Sequence, residues 1–260
     1  CDLDFVKGKG PVIANPVRTR ADVETLKEPD AAAFTYLLDA LQITRKALRP
    51  DIGLIGFAGA PFTVASYMVE GGKSSNYVKT KTMMYQDERC WHRLMEKLTN
   101  VLVQYLNAQI AAGADVIQVF DSWVGSLSPD DYRRYVLPHV KRLFGNLDKS
   151  APAINFSTGN PMLLPLMKEA GGDVIGLDWR SDLAQAWSLL GEQDVAVMGN
   201  LDPVVLYASP DRIRAAVKAV LDKARGRPGH IFNLGHGVLP DMPPENVAEL
   251  VDAVHELSLR

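Results

Sequence analysis

The stretch Val116-Ile117-Gln118-Val119-Phe120-Asp121-Ser122-Trp123 shows the local order on which the fold depends: a short apolar run followed by polar residues. An apolar run without clean alternation is typical of a parallel strand that is buried on both faces. Shortly afterwards, Ser128-Pro129-Asp130-Asp131 combines a capping serine with a proline at the first helical position. The sequence therefore predicts a strand followed by a helix in this region.

The same order recurs along the chain. Ser209-Pro210 and Asn160-Pro161 are further helix start signals. The longest helix is predicted over residues 88–112, and the last one over 244–257. Six strands are predicted, over residues 53–57, 116–120, 153–156, 174–177, 195–198 and 230–233.

Repeated strand-helix units indicate a parallel sheet with right-handed crossovers. Six units are compatible with an open doubly wound sheet or with part of an eight-unit barrel. An open nucleotide-binding sheet normally carries a glycine-rich turn after an early strand, and neither G-x-G-x-x-G nor G-x-x-x-x-G-K-[ST] occurs here. We therefore expect an α/β fold of the (β/α)8 TIM barrel type. Residues 1–260 would form one domain with about six βα units, the first two being missing from the front.

Composition narrows the class of protein. The 260 residues are 47% apolar and 23% charged, as in an average soluble protein, which excludes a disordered chain. A net charge of −3 gives no field for holding nucleic acid or an anionic membrane. The two cysteines, Cys1 and Cys90, show no spacing typical of zinc ligands or a disulfide framework. A reducing, cytoplasmic location is the simplest expectation.

Polar residues follow every predicted strand, and in a barrel this is where chemistry takes place. No lysine stands at a strand end, which disfavours a Schiff-base enzyme. His236 is the one histidine at a strand end, so a metal site is not expected. Hydroxyls, amides, one imidazole and glycines remain, and they predict a pocket for a polar, polyfunctional ligand. The motifs that follow the strands include Phe120-Asp121-Ser122-Trp123, Gly176-Leu177-Asp178-Trp179, Gly199-Asn200-Leu201-Asp202-Pro203 and Asn233-Leu234-Gly235-His236-Gly237.

These motifs, together with Gly56-Phe57-Ala58-Gly59-Ala60-Pro61-Phe62-Thr63 and Tyr67-Met68-Val69-Glu70-Gly71-Gly72, closely resemble the uroporphyrinogen decarboxylase family. The resemblance implies a cofactor-free decarboxylase of haem biosynthesis. Such an enzyme removes the carboxyl groups of four acetate side chains and converts uroporphyrinogen to coproporphyrinogen. It also implies a single (β/α)8 barrel that forms a homodimer with the two clefts facing each other.

The resemblance further implies roles for three residues. Tyr67, Ser122 and His236 match the family residues that bind the tetrapyrrole substrate. The family's catalytic aspartate and an arginine-rich segment belong to an early region without a match here, so no catalytic residue is assigned in this chain. On that basis we expect the chain by itself to show no turnover.

Other interpretations remain open. Tyr67 could be a packing residue of an ordinary helix, and Ser122 could cap a helix or a turn. Asp178, Asn200 and Asp202 are expected to fix loop conformations. A corrinoid or thiol methyltransferase of the same superfamily is one alternative function, although such relatives hold zinc with a His and Cys cluster. A non-catalytic tetrapyrrole-binding protein is another.

Overall fold

The computed structural model describes residues 1–6, 10–191 and 195–258. Two short strands precede the main sheet, β1 (Leu3–Val6) and β2 (Gly10–Ile13), and they pair antiparallel with Leu3 opposite Ile13. The sequence did not predict this hairpin, because each strand has only four residues and β2 carries a glycine and a proline, which weaken a strand pattern. Phe5 remains 75% exposed, so the hairpin contributes little to the core.

Six parallel strands form the main sheet, and each one pairs with the next along the chain. All six predicted strands are confirmed, with bounds that differ by up to two residues. Their interior positions are largely apolar, which suits a sheet covered on its faces. The strands are β3 (Ile55–Gly59), β4 (Val116–Asp121), β5 (Ala153–Ser157), β6 (Val174–Gly176), β7 (Ala196–Met198) and β8 (His230–Ile231).

Helices connect these strands, and the predicted start signals mostly act as expected. Ser128 accepts a hydrogen bond from the backbone N–H of Asp131, whereas Ser209 begins its helix without a side-chain cap. Asn160 caps a 3-10 turn, Pro161–Leu163, before its helix starts. The helices are α1 (Arg20–Thr25), α2 (Thr35–Ala47), α3 (Pro61–Glu70), α4 (Val78–Gln86), α5 (Glu88–Ala111), α6 (Pro129–Tyr135), α7 (Leu137–Gly145), α8 (Leu164–Ala170), α9 (Leu183–Leu190), α10 (Pro210–Ala224) and α11 (Pro244–Ser258).

The barrel expected from the sequence is seen as six βα units and is not closed. In the described ranges, the strand order runs from β3 at one edge to β8 at the other. Eight strands are needed to close a barrel of this type, so six strands leave two edges. The observed architecture is thus an α/β fold with a parallel six-stranded sheet.

The edge strand β3 is partly covered by a side chain. The Phe57 backbone N–H donates to Oε1 of Gln109 at 2.9 Å, and Nε2 of Gln109 donates to the Phe57 carbonyl at 3.1 Å. Gln109 lies on α5 and is 2% exposed. Its amide therefore takes both backbone bonds that a neighbouring strand would make at this position.

Two apolar clusters form the core. One is built around α3, α5 and α7, where the Phe62 and Trp91 rings lie 6.0 Å apart and the indole N–H of Trp91 donates to the Tyr135 carbonyl. The other surrounds Trp187 of α9 and includes buried residues of α10. Fully burying a side chain such as Phe62 contributes about 1.5–3 kcal/mol, so these clusters hold the helices in place on the sheet. No helix in the described ranges is both long and apolar enough to cross a membrane.

Candidate active site

A cavity of about 220 Å³ lies at the carboxyl ends of β4, β5 and β6. Ligands of parallel α/β folds bind at this end of the strands. Hydroxyls, aromatic rings, glycines and one cation surround the cavity. The lining residues are Tyr77, Ser122, Trp123, Gly125, Ser126, Thr158, Gly159 and Arg180.

Ser122 follows directly after β4 and lines this cavity. Its carbonyl accepts the Thr158 hydroxyl at 2.7 Å, which joins the loops after β4 and β5. The 3-10 turn that follows, Val124–Ser126, begins after Trp123 rather than after Ser122. Ser122 is therefore not the cap of this turn, and its hydroxyl lies in a position suited to donate to a ligand.

Tyr67 lies on α3 and stacks on Trp123, with ring centroids 3.8 Å apart and an interplanar angle of 28°. Tyr77 packs against the same indole at 5.2 Å. Burial raises the pKa of the Tyr67 phenol, so the hydroxyl stays neutral and can donate a hydrogen bond at physiological pH. Tyr67 thus stands behind the ring that lines the cavity rather than in its wall.

Asp178 organises the loop after β6. Its carboxylate accepts from the Gly159 backbone N–H at 2.8 Å, from the Arg180 backbone N–H at 3.1 Å and from the Arg180 side chain at 2.8 Å. Asn200 donates to the Asp178 carbonyl at 2.9 Å. These contacts agree with the expected loop-fixing role of Asp178 and Asn200, and they orient Arg180 toward the cavity.

His236 lies in the loop after β8 and is exposed. Its ring stacks on Trp179 at 6.1 Å, but it is not among the residues that line the cavity. The preceding Gly235 allows this approach, since a Cβ there would lie 2.3 Å from the Trp179 backbone nitrogen. The structure therefore brings Tyr67 next to Ser122 through Trp123. His236 is connected to the cavity through its contact with Trp179, which packs against Arg180.

Asp121, the last residue of β4, is buried under the site. Burial raises its pKa to about 7, although the Thr63 hydroxyl, which donates to Oδ1 at 2.7 Å, opposes that increase. The Thr63 hydroxyl oxygen accepts in turn from the Trp123 backbone N–H at 3.3 Å. This chain of hydrogen bonds connects a buried carboxyl group to the turn that carries Ser122.

Sequence reasoning missed several of the residues around the cavity. Thr63 and Trp123 stood in quoted motifs without an assigned role, and no role was given to Thr158 or Tyr77. The sequence pattern provided little indication of a role for Tyr77 and Trp123. Only the fold shows that Tyr67 on α3, Tyr77 just before α4 and Trp123 after β4 bring their rings together. For Thr158, its position directly after a strand was a usable signal.

Metal ligands were not expected at this site. Within the residues that the structure describes, no group of three or more His, Cys, Asp or Glu side chains could hold a metal ion. Cys90 is a buried residue of α5 and Cys1 is exposed, and both thiols are free. The His and Cys cluster required by the methyltransferase alternative is thus not found in that part of the chain.

Comparison with known proteins gives a consistent result. The sequence model of the family described as uroporphyrinogen decarboxylase (URO-D) matches residues 1–257. The uroporphyrinogen decarboxylase of Geobacter sp. (strain M21) is 53% identical over 259 residues, which are 99% of this chain and 75% of that protein. The enzyme of the same name from Carboxydothermus hydrogenoformans is 52% identical and is covered over 73% of its length.

Solved structures support the fold alone. A methyltransferase from Methanosarcina mazei superposes with a TM-score of 0.81 over the whole chain and 76% of its own length, at 21% sequence identity. At this identity, likeness of fold says nothing about the reaction. The structural likeness therefore gives no support to the methyltransferase alternative.

The expectation that this chain shows no turnover by itself is not borne out. The chain spans about three quarters of the length of the relatives that it matches. The match runs through every motif quoted above, since it covers 98–99% of the chain.

Proposed function

Because the chain belongs to the uroporphyrinogen decarboxylase family, we infer that it is a carboxy-lyase of porphyrin and haem biosynthesis. It decarboxylates the four acetate side chains of uroporphyrinogen and yields coproporphyrinogen and CO2. The observation that carries this conclusion is the identity of 52–53% to enzymes of that name over nearly the whole chain.

The chemistry explains what the site has to provide. Loss of CO2 from an acetate on a pyrrole needs an electron sink, which protonation of the adjacent ring carbon creates. The resulting cationic ring is stabilised by nearby negative charge or by hydrogen-bond acceptors. The substrate also carries eight carboxylates, which need cations and hydrogen-bond donors. We assign no residue of this chain to the protonation step.

Three residues are proposed to bind the macrocycle. Ser122 donates its hydroxyl to a substrate carboxylate from the cavity wall. The neutral Tyr67 phenol orients an anionic side chain, with its ring held against Trp123. His236 pairs with a carboxylate or donates one N–H from the margin of the site, beside Trp179. The position of Ser122 in the cavity wall, and the stacking of Tyr67 on the adjacent Trp123, support this proposal.

The complete architecture belongs to the same proposal. Six parallel strands in chain order would supply six of the eight strands of a (β/α)8 barrel, with residues 1–260 in a single domain. We also propose a homodimer with the clefts facing each other, without nucleic acid, membrane or cofactor. The two free thiols are compatible with a reducing, cytoplasmic compartment.

Turnover is the direct test. The enzyme is incubated with uroporphyrinogen under anaerobic, reducing conditions, and the products are oxidised and separated by the number of remaining carboxyl groups. We expect hepta-, hexa- and pentacarboxylate intermediates and then the tetracarboxylate product. Absence of CO2 release together with tight macrocycle binding would instead favour the non-catalytic alternative. Stoichiometric zinc in the purified protein would favour the methyltransferase alternative.

A further inference from the structure

Arg180 is the charged group of the cavity. Of the described residues that line it, Arg180 alone carries a charged side chain. The nearby ammonium group of Lys81 donates to the Ser126 carbonyl at 2.7 Å, so it already contacts the loop behind the cavity. A ligand carboxylate that enters beside Ser122 therefore meets the guanidinium of Arg180.

The guanidinium is held in a fixed orientation from two sides. One of its nitrogens donates to Oδ2 of Asp178 at 2.8 Å, and its central carbon lies 3.9 Å from the centroid of the Trp179 ring. Asp178 is itself fixed, since its side chain is 2% exposed and also accepts the Gly159 N–H. An arginine held in this way loses little conformational entropy when it binds a ligand.

The ion pair with Asp178 leaves donors available for a ligand. A guanidinium has five N–H donors in a fork, and the structure shows one of them on Asp178. The Arg180 side chain is 50% exposed and lines the cavity, whereas the Asp178 side chain is enclosed. The fork therefore has room for a second, incoming carboxylate, which it binds with two parallel hydrogen bonds.

We propose that Arg180 is a substrate-binding residue that sets the specificity of this site for a macrocycle with carboxylate side chains. Its guanidinium binds one peripheral carboxylate of uroporphyrinogen beside Ser122, and Asp178 and Trp179 hold it for that contact. The inference rests on the proposed function, because that function supplies the substrate and its eight carboxylates. The inference adds a permanent cation to the proposed substrate-binding groups, which are the Ser122 hydroxyl, the Tyr67 phenol and the His236 imidazole.

The test compares Arg180→Gln and Arg180→Lys with a matched control, Arg212→Gln. Arg212 is exposed on α10 and does not line the cavity. KM and kcat for uroporphyrinogen and the melting temperature are measured for each variant. We expect Arg180→Gln to raise KM by about ten- to a hundredfold with a much smaller change in kcat, because a charged hydrogen bond is lost. The KM of Arg180→Lys should lie between those of the wild type and Arg180→Gln, since lysine keeps the charge but not the fork of N–H donors.

The outcomes are distinguishable. A KM of Arg180→Gln equal to that of the control would overturn the inference, while wild-type turnover would leave the proposed function intact. No decarboxylation by the wild-type enzyme would instead refute the function itself. If Arg180→Gln lowers the melting temperature, the KM of Arg180→Lys tests the inference instead, because the lysine retains a cation next to Asp178. A raised KM in a stable lysine variant supports the inference, and an unchanged KM contradicts it.

Discussion

At the scale of single residues, the proposed role of Ser122 in binding substrate can be tested directly. It is the residue matched to the family that also lines the cavity. We expect Ser122→Ala to lower kcat/KM by about ten- to a hundredfold, because a hydrogen bond to a charged group contributes about 1.5–3 kcal/mol. The measurement is steady-state decarboxylation of uroporphyrinogen. Ser188→Ala, at an exposed position on α9, is the control and should leave kcat/KM unchanged. Equal activity of the two variants would refute the role of Ser122.

The raised pKa of Asp121 predicts how the stability of the protein depends on pH. Its pKa is near 7 in the folded protein because of burial, whereas the same carboxyl in the unfolded chain has a pKa of about 4. Below pH 4 the carboxyl group is protonated in both the folded and the unfolded state, so it does not change the free energy of unfolding. As the pH rises from about 4 to about 7, the unfolded state loses the proton first, so stability falls. A shift of this size corresponds to roughly 4 kcal/mol.

The variant Asp121→Asn removes this titration and keeps an oxygen that can accept the Thr63 hydroxyl. The free energy of unfolding, measured with urea between pH 4 and pH 8, should therefore decline less steeply in the variant than in the wild type. Above pH 7 the variant should be at least as stable as the wild type. Parallel profiles for the two proteins would show that Asp121 is ionised in the folded state at neutral pH.

At the scale of elements, the loops after β6 and β8 depend on close backbone contact. We expect Gly235→Ala to lower kcat/KM about tenfold or more and to destabilise the fold by about 1–3 kcal/mol, because the new methyl group overlaps the Trp179 backbone. Gly237→Ala has open space around its Cβ and serves as the matched control. Activity and melting temperature would be compared. If both variants behave alike, the contact between the two loops is not required.

Much of this element structure could be predicted from sequence. The six strands and the long helix α5 follow from apolar runs and cap residues, which act locally. The β1–β2 hairpin could not be predicted, because four-residue strands carry almost no pattern.

The candidate site could likewise be predicted only in part. Ser122 stands in a motif that follows a predicted strand, and the family resemblance supplied its proposed role. The stacking of Tyr67 on Trp123 depends on how α3 packs against the β4 loop. The position of His236 outside the cavity wall likewise depends on tertiary packing.

At the scale of the whole molecule, the six-stranded sheet ends in two edges, and contacts at an edge contribute to the stability of the folded chain. Gln109 satisfies the Phe57 backbone at the β3 edge. We expect Gln109→Met, which has similar volume, to destabilise the protein by about 1–3 kcal/mol, since the Phe57 N–H and C=O lose the side chain that pairs with both. Gln104→Met changes an exposed residue of the same helix and is the control. Urea denaturation and light scattering would measure stability and association. A neutral effect of Gln109→Met would show that water replaces the amide.

The distribution of the four tryptophans has a practical consequence. Trp91 and Trp187 are fully enclosed in the two core clusters, whereas Trp123 lines the proposed substrate cavity and Trp179 packs against Arg180 at its edge. The enzyme thus contains its own optical reporters. Uroporphyrin, the conjugated oxidised form of the substrate, absorbs in the region of indole emission and would, when bound, quench the outer pair more than the inner pair. Titrating ligand into single Trp→Phe variants would then follow occupancy in real time, without any attached dye.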